Sequence, residues 1–353
     1  MLTTDAVGGV WRYSIDLARG FAGAGITPTL AVLGPPPSAD QMDEAGAITN
    51  LRVIDTGLPL DWTAPEADSL RDTAAALAGL ARRIGARSVH LHTPALVAEA
   101  PWAMPTVAVA HSCVGTWWQA VRGGPLPEDL AWRAAAVGRG LAEADVVIAP
   151  TRSFAKTLTR TYRPGRLIVV IHNGAPRKEP ARARRAAAVL TAGRLWDIGK
   201  NIAALDRAAA LLDVPVIAAG PLRGPNGEEF SPLHLHAPGW LAPPQLATLM
   251  ETATVFAAPS RYEPFGLAVL EAAQAGMVLA LADIPTFREL WDGAAVFFHP
   301  EDDNGLLDAV TRLLEQPRGY AARAAARAAD YTIDATIEAT LGVHRAAQAA
   351  MAS

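Results

Sequence analysis

Short apolar, β-branched runs alternate along the chain with longer Ala- and Leu-rich stretches of helical period. Runs at 29–33, 52–55, 88–92, 106–110, 145–149 and 167–171 read as strands, and a second series follows at 188–192, 215–219, 234–237, 255–258, 278–281 and 296–298. Between them, 9–22, 67–84, 130–142, 201–212 and 245–251 read as helices. Strands that are apolar almost throughout are buried on both faces, and their alternation with helices predicts parallel sheets covered by helices. Two such series in 353 residues predict an α/β protein of two doubly wound, Rossmann-like domains, with ligands at the carboxyl ends of the strands. The domains are expected at 1–174 and 188–329. The Pro- and Arg-containing stretch 175–187 reads as a linker and 330–353 as a terminal helix.

The densest candidate chemistry lies in Pro259-Ser260-Arg261-Tyr262-Glu263-Pro264-Phe265-Gly266-Leu267-Ala268-Val269-Leu270-Glu271. Pro264 pushes Glu263 out of the α region, so Glu263 belongs to a loop. Gly266 allows a close backbone approach, and the apolar run after it reads as a buried helix. Glu271 then sits about one and a half turns inside that helix. Unpaired N–H groups and a partial positive charge suit the helix mouth to phosphate. With a carboxylate on either side, the natural ligand carries both phosphate and hydroxyls, as a nucleotide sugar does. A structural cap or core pair would explain Glu271 as well.

Arg194 and Lys200 flank Leu195-Trp196-Asp197-Ile198-Gly199, just after the strand at 188–192. Arginine offers phosphate a planar fork and lysine a point charge, so the two could neutralise a leaving nucleoside diphosphate; two surface charges is the plainer reading. Gly8-Gly9 opens the first helix, where paired glycines admit a phosphate or sugar, or simply make a tight turn. His111 follows the strand at 106–110 and so lies near its carboxyl end, with Trp117 and Trp118 close by for stacking or packing.

These residues together resemble the retaining glycosyltransferases of family 4, which have the GT-B fold: two Rossmann-like doubly wound domains facing across a cleft. Glu263 and Glu271, with seven residues between them, match the family's paired-glutamate signature. Gly8-Gly9, His111, His172-Asn173-Gly174, Gly193-Arg194 with Lys200, and Phe287-Arg288-Glu289-Leu290 follow the family order over nearly the whole chain. The resemblance implies transfer of a sugar from a nucleoside diphosphate to a glycan, lipid-linked or small-molecule acceptor, with retention at the anomeric carbon. It implies catalytic roles for Glu263, His111, Arg194 and Lys200. Donor binding falls to Gly8, Gly9, Phe265, Gly266, Leu267 and Glu271, with Glu271 on the ribose. It also implies that 330–353 packs back on the first domain. Lys200 stands one residue further from Arg194 than the family pattern has it. The family opens with an apolar strand before the double glycine. Here only Leu2-Thr3-Thr4 precedes Asp5, so a central strand is expected to be mostly missing and the native start to lie several residues upstream.

Composition narrows the partners. A net charge of −4 argues against general nucleic-acid binding. The one cysteine, Cys113, excludes an intramolecular disulfide and suits a reducing compartment. Residues 1–5 carry neither region of a secretion signal, and no apolar run reaches the ~18 residues of a membrane span. A cytoplasmic protein is expected. Ten basic residues against the single acid Glu179 between 152 and 185, with Arg152, Lys156, Arg160 and Arg163 at helical spacing, suit peripheral contact with an anionic membrane or simply a solvated helix face. Neither an Asp-any-Asp triplet at a strand end nor a Cys/His ligand cluster is present, so no metal and no other cofactor is expected. The rival readings are a sugar-nucleotide epimerase, a phosphorylase, a carboxylate-pair hydrolase and an inactive GT-B binding protein.

Overall fold

Leu2, Thr3 and Thr4 are each at most 3% exposed, and they form the strand that the sequence reading expects to be mostly missing. β1 (Leu2–Asp5) pairs with β2 (Thr29–Leu33) over its whole length, from Leu2↔Leu30 to Asp5↔Leu33, and with β4 (Val89–Leu91) through Leu2↔His90. The two threonines hid it. They are β-branched and pack in the sheet, and Thr3 Oγ1 accepts the His92 N–H at 3.0 Å. The first sheet keeps its centre.

The computed structural model describes residues 1–177 and 185–352. These fall into two units, Met1–Asn173 with Ile333–Ser353, and Gly174–Thr332. In the first, the parallel strands run in the order β3-β2-β1-β4-β5-β6-β7, with β3 (Arg52–Asp55), β5 (Thr106–Val109), β6 (Val146–Ala149) and β7 (Val169–Val170) completing the sheet. Crossover helices α1 (Gly9–Gly23), α2 (Ala39–Gly46), α3 (Ala67–Arg83), α4 (Val114–Val121), α5 (Glu128–Glu143) and α6 (Arg152–Tyr162) connect the strands. Leu30, Val89, Leu91, Val107 and Val147 have no exposed surface, and each such aliphatic side chain stabilises the core by ~1.5–3 kcal/mol. On α6, Arg152, Lys156 and Arg160, with Arg163 just beyond, are all exposed.

The second unit has its parallel strands in the order β10-β9-β8-β11-β12-β13: β8 (Ala186–Ala192), β9 (Val216–Ala219), β10 (His236–Gly239), β11 (Ala253–Ala258), β12 (Val278–Ala282) and β13 (Val296–Phe298). Its helices are α7 (Ile202–Ala209), α8 (Pro243–Thr252), α9 (Leu267–Gln274), α10 (Pro285–Trp291), α11 (Asp303–Glu315) and α12 (Pro317–Ala328). Of the stretch 175–187 read as a linker, 178–184 lies outside the described residues. Its described ends belong to this unit rather than to a connection. Ala175 bridges Thr332, Arg185 donates to the carbonyl of Met250 at 2.9 Å, and β8 starts at Ala186.

The last helix, α13 (Ile333–Ala352), returns to the first unit and packs on α1. Gly20 makes room for it: a Cβ there would lie 2.3 Å from Ile337 Cδ1. Thr336 Oγ1 donates to the His172 carbonyl at 2.8 Å, and His344 is 8% exposed. Among the described residues no helix is long and apolar enough to cross a membrane.

Candidate functional site

In an open parallel sheet the ligand crevice forms where the strand order reverses, beyond the carboxyl ends of the strands. In the second unit that point is β8, between β9 and β11. The loops leaving β8 and β11 are 193–201 and 259–266, which carry five of the residues singled out from the sequence: Arg194, Lys200, Glu263, Phe265 and Gly266. The two loops are tied together. Arg261 and Tyr262 both donate their backbone N–H to the Gly199 carbonyl, at 2.9 and 3.2 Å. Asn201, left-handed at φ 54°, sends its side-chain amide to the carbonyls of Pro259 at 3.1 Å and Pro300 at 2.9 Å. The turn before it rests on Asp197, whose carboxylate accepts from Gly199 N at 2.9 Å and from Arg194 Nη2 at 3.0 Å.

Lys200 and Glu263 meet within this frame as a close ion pair, Nζ to Oε2, with side chains 20% and 15% exposed. A half-buried pair exchanges much hydration for a fixed geometry, so each charge holds the other in place. Arg194 is more open, at 41%, and lies over the Trp196 ring with 5.6 Å to the centroid. It is a rim cation; its pairing with Asp197 is worth roughly 0–1 kcal/mol and leaves most of the fork's donors pointing elsewhere.

Gly266 stands at the mouth of α9 with φ 94°, and no side chain caps the helix. A Cβ there would sit 3.1 Å from Phe287 Cε1 and 3.4 Å from Glu263 Cγ. The position thus demands glycine both for its left-handed backbone and for its neighbours. Phe265 is 3% exposed and packs edge-on against Tyr331, centroids 5.9 Å apart, so it anchors the loop. Leu267 starts the helix, and Glu271 is its fifth residue, half-buried.

The equivalent reversal in the first unit is β1, between β2 and β4. Gly8, φ 146°, caps α1 with no side-chain bond, and Gly8 and Gly9 are exposed. His111 lies two residues past β5, and it is not alone. His92 Nδ1 is 2.7 Å from His111 Nε2, and His92 Nε2 is 3.1 Å from Ser14 Oγ on α1. His90 Nδ1 is 3.0 Å from His344 Nε2 on α13, whose Nδ1 is 2.9 Å from Ser88 Oγ. The buried Tyr13 sets its ring edge-on to His92 and His111, at 5.4 and 4.8 Å between centroids. Burial holds all four imidazoles neutral. It lowers His111 and His344 to about 4, and His90 and His92 well below the ordinary value, with the neighbouring histidines adding to the effect on His90 and His92.

Sequence reading singles out His111 and, finding no Cys/His ligand cluster, gives His90 and His92 no role. Their alternate spacing, His90 in β4 and His92 one residue past its end, was the available signal; Ser14 and His344 had none, being 78 and 254 residues distant from their partners. It also missed Asp206. Burial pushes that carboxyl up, but the backbone N–H groups of Leu235, His234 and Leu233 outweigh it and hold the group below its usual range. The carboxylate thereby pins the end of the long loop before β10. Among the described residues no three His, Cys, Asp or Glu side chains converge as a metal-ligand set.

Comparison with known proteins bears on the family and the fold. Residues 7–179 match the model of Glycosyltransferase Family 4, and residues 228–331 that of Glycosyl transferases group 1. A D-inositol 3-phosphate glycosyltransferase of Mycobacterium avium (strain 104) is 32% identical over 253 residues, covering 63% of this chain and 58% of that protein. The chain thus spans less than two thirds of the length of such curated relatives. The O-antigen biosynthesis glycosyltransferase WclY of Escherichia coli is 38% identical over 64 residues, 18% of each chain. Sucrose-phosphate synthase of Thermosynechococcus elongatus superimposes with a TM-score of 0.80 at 18% identity, covering 99% of both chains. HepE of Anabaena, in complex with UDP-glucose, does so with 0.73 at 17%, covering 97% of this chain and 99% of that one. At such identities the structures speak for the fold, which is GT-B.

Proposed function

The chain belongs to glycosyltransferase family 4, and we propose that it transfers a sugar from a nucleoside-diphosphate donor to an acceptor hydroxyl, with retention at the anomeric carbon and without a metal. The observation that carries this is the second unit's reversal point: an uncapped helix mouth at Gly266, the Lys200–Glu263 pair beside it, and Arg194 on the rim. The helix end and the two cations supply the positive field that a departing diphosphate needs, already fixed in place before reaction.

In this reading Lys200 and Arg194 bind the diphosphate, Gly266 and Leu267 present the helix mouth to phosphate, and Phe265 anchors the loop. Glu271 takes the ribose hydroxyls and Glu263 the donor sugar. Gly8, Gly9 and His111 of the first unit serve the acceptor side and the transferred sugar. The bond from the anomeric carbon to the diphosphate oxygen breaks, a bond from that carbon to the acceptor oxygen forms, and the leaving diphosphate takes the acceptor proton. No side chain is assigned as general base.

A thermal-shift panel of UDP, GDP, ADP and CDP in excess chelator tests the donor site. Saturation to ~100 times Kd stabilises the folded protein by ~2.7 kcal/mol. A shift with one nucleotide that Lys200→Ala abolishes is the expected result; no shift with any of them would sink the reading. The acceptor search then starts from D-inositol 3-phosphate, the compound in the M. avium relative's name.

A further inference from the structure

The histidines at the reversal point of the first unit have a direction. His92 Nδ1 and His111 Nε2 are 2.7 Å apart, and both rings are neutral, so one proton serves the contact. Which ring owns it is decided one step further in, at Ser14. That hydroxyl is wholly buried, and its hydrogen-bond partner among the described residues is His92 Nε2, at 3.1 Å. If His92 carried its proton on Nε2, Ser14 would accept and its own hydrogen would point into the core without an acceptor. A buried donor left unpaired costs more than a buried lone pair left over. Ser14 therefore donates to Nε2, the His92 proton sits on Nδ1, and it is donated to His111 Nε2. His111 must then carry its own proton on Nδ1.

The geometry points to Ser14 and His92 as a one-way hydrogen-bond chain that fixes His111 as the Nδ1–H tautomer, which makes His92 a positioning residue for the sugar contact of His111. Tyr13, edge-on to both rings, holds their planes so that the chain stays in line. The outward Nδ1 makes no hydrogen bond among the described residues and is not among the buried unpaired atoms, unlike His90 Nε2. It is the nitrogen a ligand can reach. A neutral ring with its proton there donates to a sugar oxygen and cannot act as a base at that atom. The use of the chain rests on the proposed sugar contact of His111; the tautomer itself does not.

Nitrogen NMR of the full-length chain labelled with 15N-histidine reads the tautomer directly, with His111 assigned by loss of its signals in His111→Asn. The expected spectrum shows His92 and His111 each protonated on Nδ1, with a bare Nε2. Ser14→Ala should lower the Nδ1–H fraction of both rings in concert. In sugar-nucleotide hydrolysis measured with UDP-, GDP-, ADP- and CDP-glucose, His92→Leu should lower kcat ten- to a hundredfold with KM within about threefold. His92→Asn, whose amide can donate from the Nδ1 position, should recover most of that loss. A wild-type spectrum with the His111 proton on Nε2 overturns the chain, as does a His92→Asn enzyme no faster than His92→Leu. Undiminished turnover by His111→Ala overturns the functional use of the chain and the sugar contact beneath it, whatever the spectrum shows. The two failures are thereby told apart.

Discussion

The two units share a topology and furnish its reversal point with opposite chemistry. In the first, β1 and its neighbours end in imidazoles that burial keeps neutral and that bond to one another and to serines. In the second, β8 and β11 end in an arginine, a lysine and two carboxylates that form ion pairs with one another. The sheet supplies a location and leaves the chemistry to whatever side chains the loops carry. Neutral donors suit the hydroxyls of a sugar; fixed charges suit a diphosphate.

The same contrast extends to the glycines. Gly220, beside β8, has φ 144°, and a Cβ on it would lie 1.8 Å from the Gly193 carbonyl oxygen. Gly8 has nearly the same φ, 146°, with nothing within 4 Å of that Cβ. Gly220→Ala is accordingly expected to destabilise the second unit by ~3 kcal/mol or more, because backbone must move. Gly8→Ala should cost only the local strain of ~1 kcal/mol. Denaturant titrations of the two variants compare them; equal losses would erase the distinction.

Charge removal comes next. Lys200→Ala is expected to lower turnover by ~10²–10³-fold, and Arg194→Ala, on the exposed rim, by distinctly less, as read by steady-state kinetics. Equal effects would mean that Lys200 gains nothing from its half-buried setting.

Acid separates the units in another way. A histidine whose folded pKa lies below its unfolded value binds fewer protons when folded, so its stabilisation is complete above about 6.5 and is lost as pH falls towards about 4. Asp16 and Asp61, whose carboxyls burial pushes up, offset part of this in the first unit. The second unit's shifted carboxyls, among them Asp206, are lowered and keep their stabilisation until the ordinary carboxylate range is reached. Hydrogen exchange between pH 6.5 and 4 should therefore loosen 1–173 before 186–332. The reverse order would contradict neutral histidines.

The most local effect is expected at Asp206. Asp206→Asn should destabilise the second unit by ~1–2 kcal/mol, with faster amide exchange confined to 233–235, where three N–H groups lose their carboxylate.

Legibility followed sequence distance. The charged site stood out because Glu263, Gly266 and Glu271 lie within one short stretch, and because a proline and a glycine there leave the backbone few options. The strand–helix alternation was equally plain, since buried parallel strands are continuous apolar runs; β1 escaped because two of its four residues are threonines. The histidine chain could not be read. Ser14, His92, His111 and His344 come from four separate elements, and only the folded sheet brings them within 3.1 Å of their partners. Asp206 was hidden for a related reason: its partners are backbone N–H groups, which no residue type announces.

The return of α13 sets an order of events at the ribosome. Residues 174–332 form a contiguous stretch and can close their core as soon as they have emerged. The first unit, begun earlier, cannot. Ser88, His90 and the floor of α1 wait for His344 and Ile337, which are synthesised after the whole of the second unit. The half of the molecule made first is thus the half completed last, and during that interval His90 lacks the imidazole of α13 that bonds to it.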